Sequence, residues 1–303
     1  MSAPTFLEVG RDFIAGYGRT TRDHYAVEIR RFDTWMKAHD DVPLHKLRRV
    51  HIETYKQWLL DHEKLSPNTV STYVGTVCKV TKYAYEEGII PRDVGQSVRR
   101  GERPRMATGT WLTRDQLRTL LAVCRERAHP DVSAAVHILA LNGLRIQELL
   151  RLRREDFMIV ADRPCLHISR RKYSPGGQYV SLASTTMDVL QPLLDARSTG
   201  WLIRIPHRHP GGPRPSREDR SRRDAARFRL ILQQFCEDEG LPRLTPHSLR
   251  HTFVTLSRDA GASDRDVMAS TGHIDPRSLV YYDRAHASVE RNATHVLAEY
   301  LEW

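Results

Sequence analysis

The chain has 303 residues, of which 47 are Lys or Arg and 37 are Asp or Glu, for a net charge of +10. That length suits two cores better than one. The dispersed positive charge favours a polyanionic partner, with nucleic acid and anionic membrane equally served. The four cysteines form no C-x-x-C pair, Asp12, Arg19, Arg22, Asp23 and Arg30 interrupt any leader-like apolar run, and no stretch approaches about 20 apolar residues. These features argue against a disulfide framework, a thiolate zinc site, a secretory signal and a helical membrane span, and the expected compartment is a reducing cytoplasm.

A first helix is expected over residues 5 to 16. From Thr20, the apolar residues Tyr25, Ile29, Phe32 and Trp35 recur three or four apart, which predicts a helix with one buried stripe. Ile52, Tyr55, Trp58 and Leu59 repeat that spacing. Ser66 and Pro67 read as an N-cap and first-turn proline of a third such helix, with Val70, Tyr73, Val74, Val77 and Tyr83 inward and Gly88 as its stop. Residues 1 to 100 thus read as a small bundle of four or five helices. The run R-R-G-E-R-P-R-M-A-T-G-T from Arg99 to Thr110 has no periodicity and reads as an exposed basic linker, placed at 101 to 110.

The remainder, 111 to 303, begins with a helix capped by Thr113 and running through Cys124. A second, from Val132 to Leu141, leads into the amphipathic stretch G-L-R-I-Q-E-L-L-R-L. Cys165 to Ser169 and Tyr179 to Leu182 are β-prone and flank R-R-K-Y-S-P-G-G-Q, a hairpin with a Pro-Gly-Gly tip. Helices resume near Thr186. Residues 203 to 224, rich in Arg, His, Pro and Gly, read as a mobile basic loop. The fold class expected is mainly α, with a small β-hairpin or sheet in the second half.

Several polar groups sit at the edges of apolar segments. Arg145, directly after Gly143 and Leu144, either pairs with Glu148 as a structural bridge or is held rigid to grip an anion. In T-P-H-S-L-R-H-T-F-V, Thr245 caps a helix, Pro246 takes its first turn, and His247 and Arg250 lie one turn apart. That sets an acid-base group beside a positive fork near a helix N-terminus. His247 and His251 also have the spacing of a helical metal pair, but the glutamate of H-E-x-x-H is missing and no other ligand lies near in sequence. His273 in T-G-H-I-D-P and Tyr282 in S-L-V-Y-Y-D-R complete the set with Lys172 of the hairpin.

The order G-L-R-I-x-E-L-L, a hairpin lysine, T-P-H-x-L-R-H-T, G-H, and a tyrosine nine residues beyond that histidine resembles the tyrosine recombinases and phage integrases. The likeness covers residues 110 to 295 by motif and the first hundred by arrangement. Thr271 stands where the family often has Leu, and R-R-K leaves open whether Arg171 assists Lys172.

What the resemblance implies is a SAM-like core-binding domain over 1 to 100 and a catalytic domain over 111 to 303. Arg145 and Arg250 would clamp the phosphate, His247 would accept the proton of the nucleophile Tyr282, Lys172 would protonate the leaving 5′ oxygen, and His273 would bond the phosphate. Glu148 would orient Arg145. Neither cofactor nor metal is implied. The implied partners are double-stranded recombination sites, a homo-tetramer on synapsed DNA and an accessory directionality factor. With no segment before the helical domain, a short recombinase lacking an arm-binding domain is expected. The C-terminal run with Val289, Val296, Leu297, Tyr300 and Leu301 is expected to dock on a neighbouring subunit rather than its own. A nicking-closing topoisomerase of type IB and a silent DNA-binding protein on this fold are the alternatives.

Overall fold

The computed structural model describes residues 4–99, 110–169, 177–207 and 217–272. The chain divides into two compact units, residues 1–105 and 106–303.

In the first unit, α1 (Phe6–Ala15) opens on a reciprocal cap between Thr5 and Glu8. It packs with α2 (Arg19–His39) and α4 (Pro67–Glu86), α3 (Arg49–Asp61) packs on α4, and a short 3-10 turn (Leu44–Lys46) leads into α3. The expected stripes are the core: Ile29, Phe32, Trp35, Ile52, Tyr55, Leu59, Val70, Val74 and Val77 are buried. Tyr25, Trp58, Tyr73 and Tyr83 are only half-buried and pack at its edge. Phe32 meets Phe6 and Tyr55 edge-on, with ring centroids 4.7 and 5.0 Å apart. Ser66 accepts from the amide of Thr69 with Pro67 in the first turn, as its sequence position requires, and Gly88 follows the helix end at φ +69°.

The second unit is built around α6 (Pro130–Asn142), which is apolar all round and packed by α5 (Arg114–Arg127), α8 (Ser184–Asp195) and α10 (Pro246–Asp259). Thr113 caps α5 as expected. The helical stretch from Val132 does not run on: Gly143 takes φ +63° and ends α6, and G-L-R-I-Q-E-L-L yields only one turn, α7 (Ile146–Leu149).

Three antiparallel strands in the order β1-β2-β3 form the sheet: β1 (Phe157–Val160), β2 (Arg163–Ile168) and β3 (Gln178–Ser181). Phe157 lies opposite Leu166, and Cys165 opposite Ser181. Strand β1 was not expected. It joins β2 through Ala161 and Asp162, both at positive φ, without the Asn-Gly or Asp-Gly pair that announces such a turn.

The reading of 203 to 224 as a loop fits 203–207, which have no regular structure but are anchored in the core, and is overturned over 217–224. Ile203 and Ile205 are core residues, and α9 (Arg217–Asp238) covers the second half, with Ser221 and Asp224 buried. The apolar stripe of α9 starts only at Phe228, Leu232 and Cys236, so its first two turns look like loop by composition. The hairpin tip, the segment 208–216 and everything from 273 onward, including the C-terminal run, lie outside the described residues. All four cysteines are buried free thiols. Among the described residues, no helix is long and apolar enough to cross a membrane.

Candidate active site

Helix α10 begins with a reciprocal cap. Thr245 Oγ1 accepts from the Ser248 amide at 3.2 Å, the Ser248 hydroxyl accepts from the Thr245 amide at 3.1 Å, and Pro246 fills the first turn. This fixes the direction of Arg250 one turn on, whose side chain is only 1% exposed. Its Nη1 donates to the carbonyls of Gly143 at 2.7 Å and Thr271 at 2.9 Å. Those carbonyls lie at the C-terminal ends of α6 and of α11 (Asp264–Thr271), so one guanidinium gathers the negative ends of two helices.

Gly143 is required there, since a Cβ would come within 2.4 Å of Phe253 and 2.9 Å of Thr271 at a φ that side chains avoid. The departure at Thr271 is accommodated because its backbone carbonyl, not its side chain, serves Arg250.

Arg145 is the N-cap of α7. Its amide and its Nη1 donate to the two carboxylate oxygens of Glu148, each at 2.9 Å. The side chain is 48% exposed against 15% for Glu148. The bridge to Glu148 is therefore present, and the guanidinium it orients stays half exposed rather than buried. The Asn142 amide donates to the Ser181 carbonyl at 2.8 Å, tying the end of α6 to β3.

His247 sits on the exposed side of the first turn of α10. Partial burial, then the positive charges of Arg250 and Arg145, hold its pKa below the ordinary imidazole value. It is thereby kept neutral and able to accept a proton. His251 is turned into the core, where its ring stacks on Trp111 with centroids 5.5 Å apart, so the two imidazoles occupy different environments. Among the described residues, no group of three or more His, Cys, Asp or Glu is placed to hold a metal.

The structure thus brings Arg145, Glu148, His247 and Arg250 together. Lys172, His273 and Tyr282, with Arg171 and Tyr281, lie outside the described residues. Sequence reasoning missed the contribution of the Gly143 and Thr271 carbonyls, which leave no residue-type signal. It also missed the contacts made to α7 by α9, which join segments distant in sequence.

Two oriented guanidinium groups beside an imidazole are the residue types that phosphoryl transfer calls on, since such forks suit an anion whose charge grows during reaction. Comparison with known proteins carries this further. Residues 110–288 match the phage integrase family, and residues 5–98 match the phage integrase SAM-like domain. The tyrosine recombinase XerD of Caulobacter vibrioides is 26% identical over 99% of this chain and 93% of its own. XerC of Roseiflexus sp. is 26% identical over 91% of this chain and 84% of its own. The integrase of Mycobacterium phage FRAT1 is 26% identical over 54% of this chain, which spans about half of that protein, 52%.

Among solved structures, XerH bound to its difH substrate superposes with a TM-score of 0.69 at 16% identity, covering 96% of this chain and 85% of that one. A lambda integrase dimer on a core site gives 0.68 at 16%, covering 93% and 77%. At such identities these structures speak for the fold. The chain belongs to the phage integrase family, the tyrosine recombinases, enzymes of site-specific DNA recombination.

Proposed function

We propose that this chain cuts and rejoins double-stranded DNA at specific sites through a 3′-phosphotyrosyl link to Tyr282. The observation that carries the reading is the placement of His247 beside Arg145 and Arg250, the two arginines that would grip the phosphate. Arg145 and Arg250 stabilise the extra charge of five-coordinate phosphorus with forks that never deprotonate. His247 takes the proton of the Tyr282 phenol as its oxygen attacks. Lys172 gives a proton to the departing 5′ oxygen, and His273 donates a hydrogen bond to the phosphate. Glu148 orients Arg145.

A phenol of pKa about 10 needs such a base and such charge to attack at neutral pH. Transesterification conserves the phosphodiester energy, so no ATP is consumed. The arginine and lysine set supplies the positive charge that divalent ions supply in other strand-cutting enzymes.

On this reading residues 1 to 100 are the core-binding domain, 101 to 110 the linker and 111 to 303 the catalytic domain. They act as a tetramer on synapsed DNA in the cytoplasm, at the nucleoid, with an accessory factor setting direction. The test is to incubate the protein with sheared genomic DNA in EDTA, trap covalent adducts with detergent, and identify both the joined peptide and the joined DNA. Adducts concentrated at few sequences, carried by the Tyr282 peptide on a 3′ phosphate, support it. Adducts that need magnesium, or relaxation of supercoils at random sites, contradict it.

A further inference from the structure

Helix α7 has four residues, too few to persist without support, yet it carries Arg145 at its N-cap. Leu149 anchors it in the apolar core and it packs on α6 as well as α9, but its described polar contacts beyond Glu148 come from the first turns of α9. The Gln147 amide reaches the Ser221 carbonyl at 3.4 Å, and Arg220 Nη1 reaches the Leu150 carbonyl, at the end of α7, at 3.5 Å.

Arg220 is itself tightly held. Its Nη2 donates to the Ile203 carbonyl at 3.0 Å and lies 3.2 Å from Asp224 Oδ2, and its guanidinium sits 4.3 Å from the centre of the Trp201 ring. Asp224, buried beneath, takes His207 Nε2 on its other oxygen at 2.8 Å. Trp201 is fixed by a strand-like bridge to Arg153, whose guanidinium also lies over the ring at 5.2 Å.

Burying an ion pair in this way is a poor route to stability, because desolvation offsets most of the attraction and an apolar pair serves as well. The desolvation is visible: burial pulls the pKa of Arg220 below its ordinary value. What the pair provides that a leucine could not is a fork of fixed direction, aimed at α7.

The geometry points to Arg220, with Asp224 beneath it, as a positioning residue for Arg145: it holds α7 against α9 and so holds the guanidinium where the phosphate arrives. This rests on Arg145 being the phosphate clamp and His247 the base. On this assignment Arg220 acts through α7 and not on the reacting atoms. A displacement of about 1 Å at a reacting group lowers rates by up to about a hundredfold.

The experiment uses the full-length chain and a nicked suicide duplex carrying the sequence recovered from trapped adducts. Adduct formation is followed in single turnover across pH, beside affinity for the same duplex and melting temperature. Arg220→Gln is expected to slow adduct formation about 10- to 100-fold, with affinity close to wild type. The acid limb of the profile should move to higher pH, because a displaced Arg145 charge depresses the His247 pKa less. Arg220→Lys, which keeps the charge and one donor but not the fork, should fall between.

Wild-type rate and limb in Arg220→Gln overturn the assignment. So does a parallel fall of rate, affinity and melting temperature with the limb unmoved, which is what a merely structural role gives. Should Arg220→Gln fail to fold, Gln147→Met decides: it removes only the Ser221 contact, and a several-fold slower rate with the same limb shift is expected, while wild-type behaviour refutes. Two controls separate the underlying reading. Arg145→Lys cleaving at the wild-type rate would show that Arg145 is no clamp. An acid limb that survives His247→Gln would show that His247 is not the base, and the split between rate and affinity then judges Arg220 alone.

Discussion

Replacing each of the two active-site arginines by lysine separates what each does for the fold from what it does for the phosphate. Arg250 is 1% exposed, and its Nη1 serves two carbonyls at 2.7 and 2.9 Å. A lysine ammonium on a shorter stem cannot span both helix ends, so about one charge-assisted hydrogen bond is lost, worth on the order of 2 kcal/mol. For a unit of this size that lowers the melting temperature by about 5 °C.

Arg145 is 48% exposed, and among the described residues its side chain bonds Glu148 alone. Solvent screening limits that pair to about 0–1 kcal/mol, and its loss should barely move the melting temperature. Both substitutions remove a fork from the phosphate and should slow strand cleavage about a hundredfold or more, about 3 kcal/mol, with DNA affinity nearly intact. The assays are thermal unfolding, single-turnover adduct formation and DNA binding on the same preparations. Equal thermal shifts for the two variants would refute the structural part of this reasoning. Equal losses of affinity and cleavage would reassign both residues as general phosphate anchors.

His247→Gln should slow adduct formation about 10²- to 10⁴-fold. In Arg145→Gln the acid limb should move to higher pH, since one of the charges that depress the His247 pKa is gone; an unmoved limb would separate the two residues. His137, buried in α6 with Nδ1 against the Ser133 carbonyl, has its pKa pulled down by burial. The unfolded chain therefore binds its proton first, and the stability of the second unit should fall as pH drops below about 6.5. His137→Gln should flatten that fall, leaving the part due to His247; an unchanged slope would contradict it. Lys172→Ala should slow cleavage of ordinary DNA but be restored on a substrate whose 5′ leaving oxygen is replaced by sulfur, since a thiolate departs without a proton. Failure of the sulfur substrate to restore the rate would move the acid role to another group.

Where a cap and an apolar stripe coincide, as at Ser66, Thr113 and Thr245, the helix was legible in the sequence, because both signals are local. The core of the first unit followed from the spacing of Ile29, Phe32, Ile52, Tyr55 and Val74 alone. Helix α9 was not legible, because its inward positions at Ser221 and Asp224 are polar and meet partners distant in sequence, Gln147 and His207. Strand β1 was hidden by a turn that puts Ala161 at positive φ. At the site, residue types pointed to Arg145, Glu148, His247 and Arg250. They could not show that one nitrogen of Arg250 is taken up by backbone carbonyls, or that Gly143 is needed for one of them.

The central claim is that Tyr282 is the nucleophile, and the neighbouring Tyr281 offers the sharpest comparison. Adjacent side chains point apart in any regular backbone, so two such phenols are not expected to face one phosphate together, and Tyr282 has the family's spacing of nine from His273. A nicked suicide substrate, whose cleaved strand cannot religate, is incubated with Tyr282→Phe and separately with Tyr281→Phe, and covalent protein–DNA adducts are measured alongside binding. The account predicts that Tyr282→Phe binds the site and forms no adduct, while Tyr281→Phe still forms one at a reduced rate. An adduct that survives Tyr282→Phe and vanishes in Tyr281→Phe would contradict it.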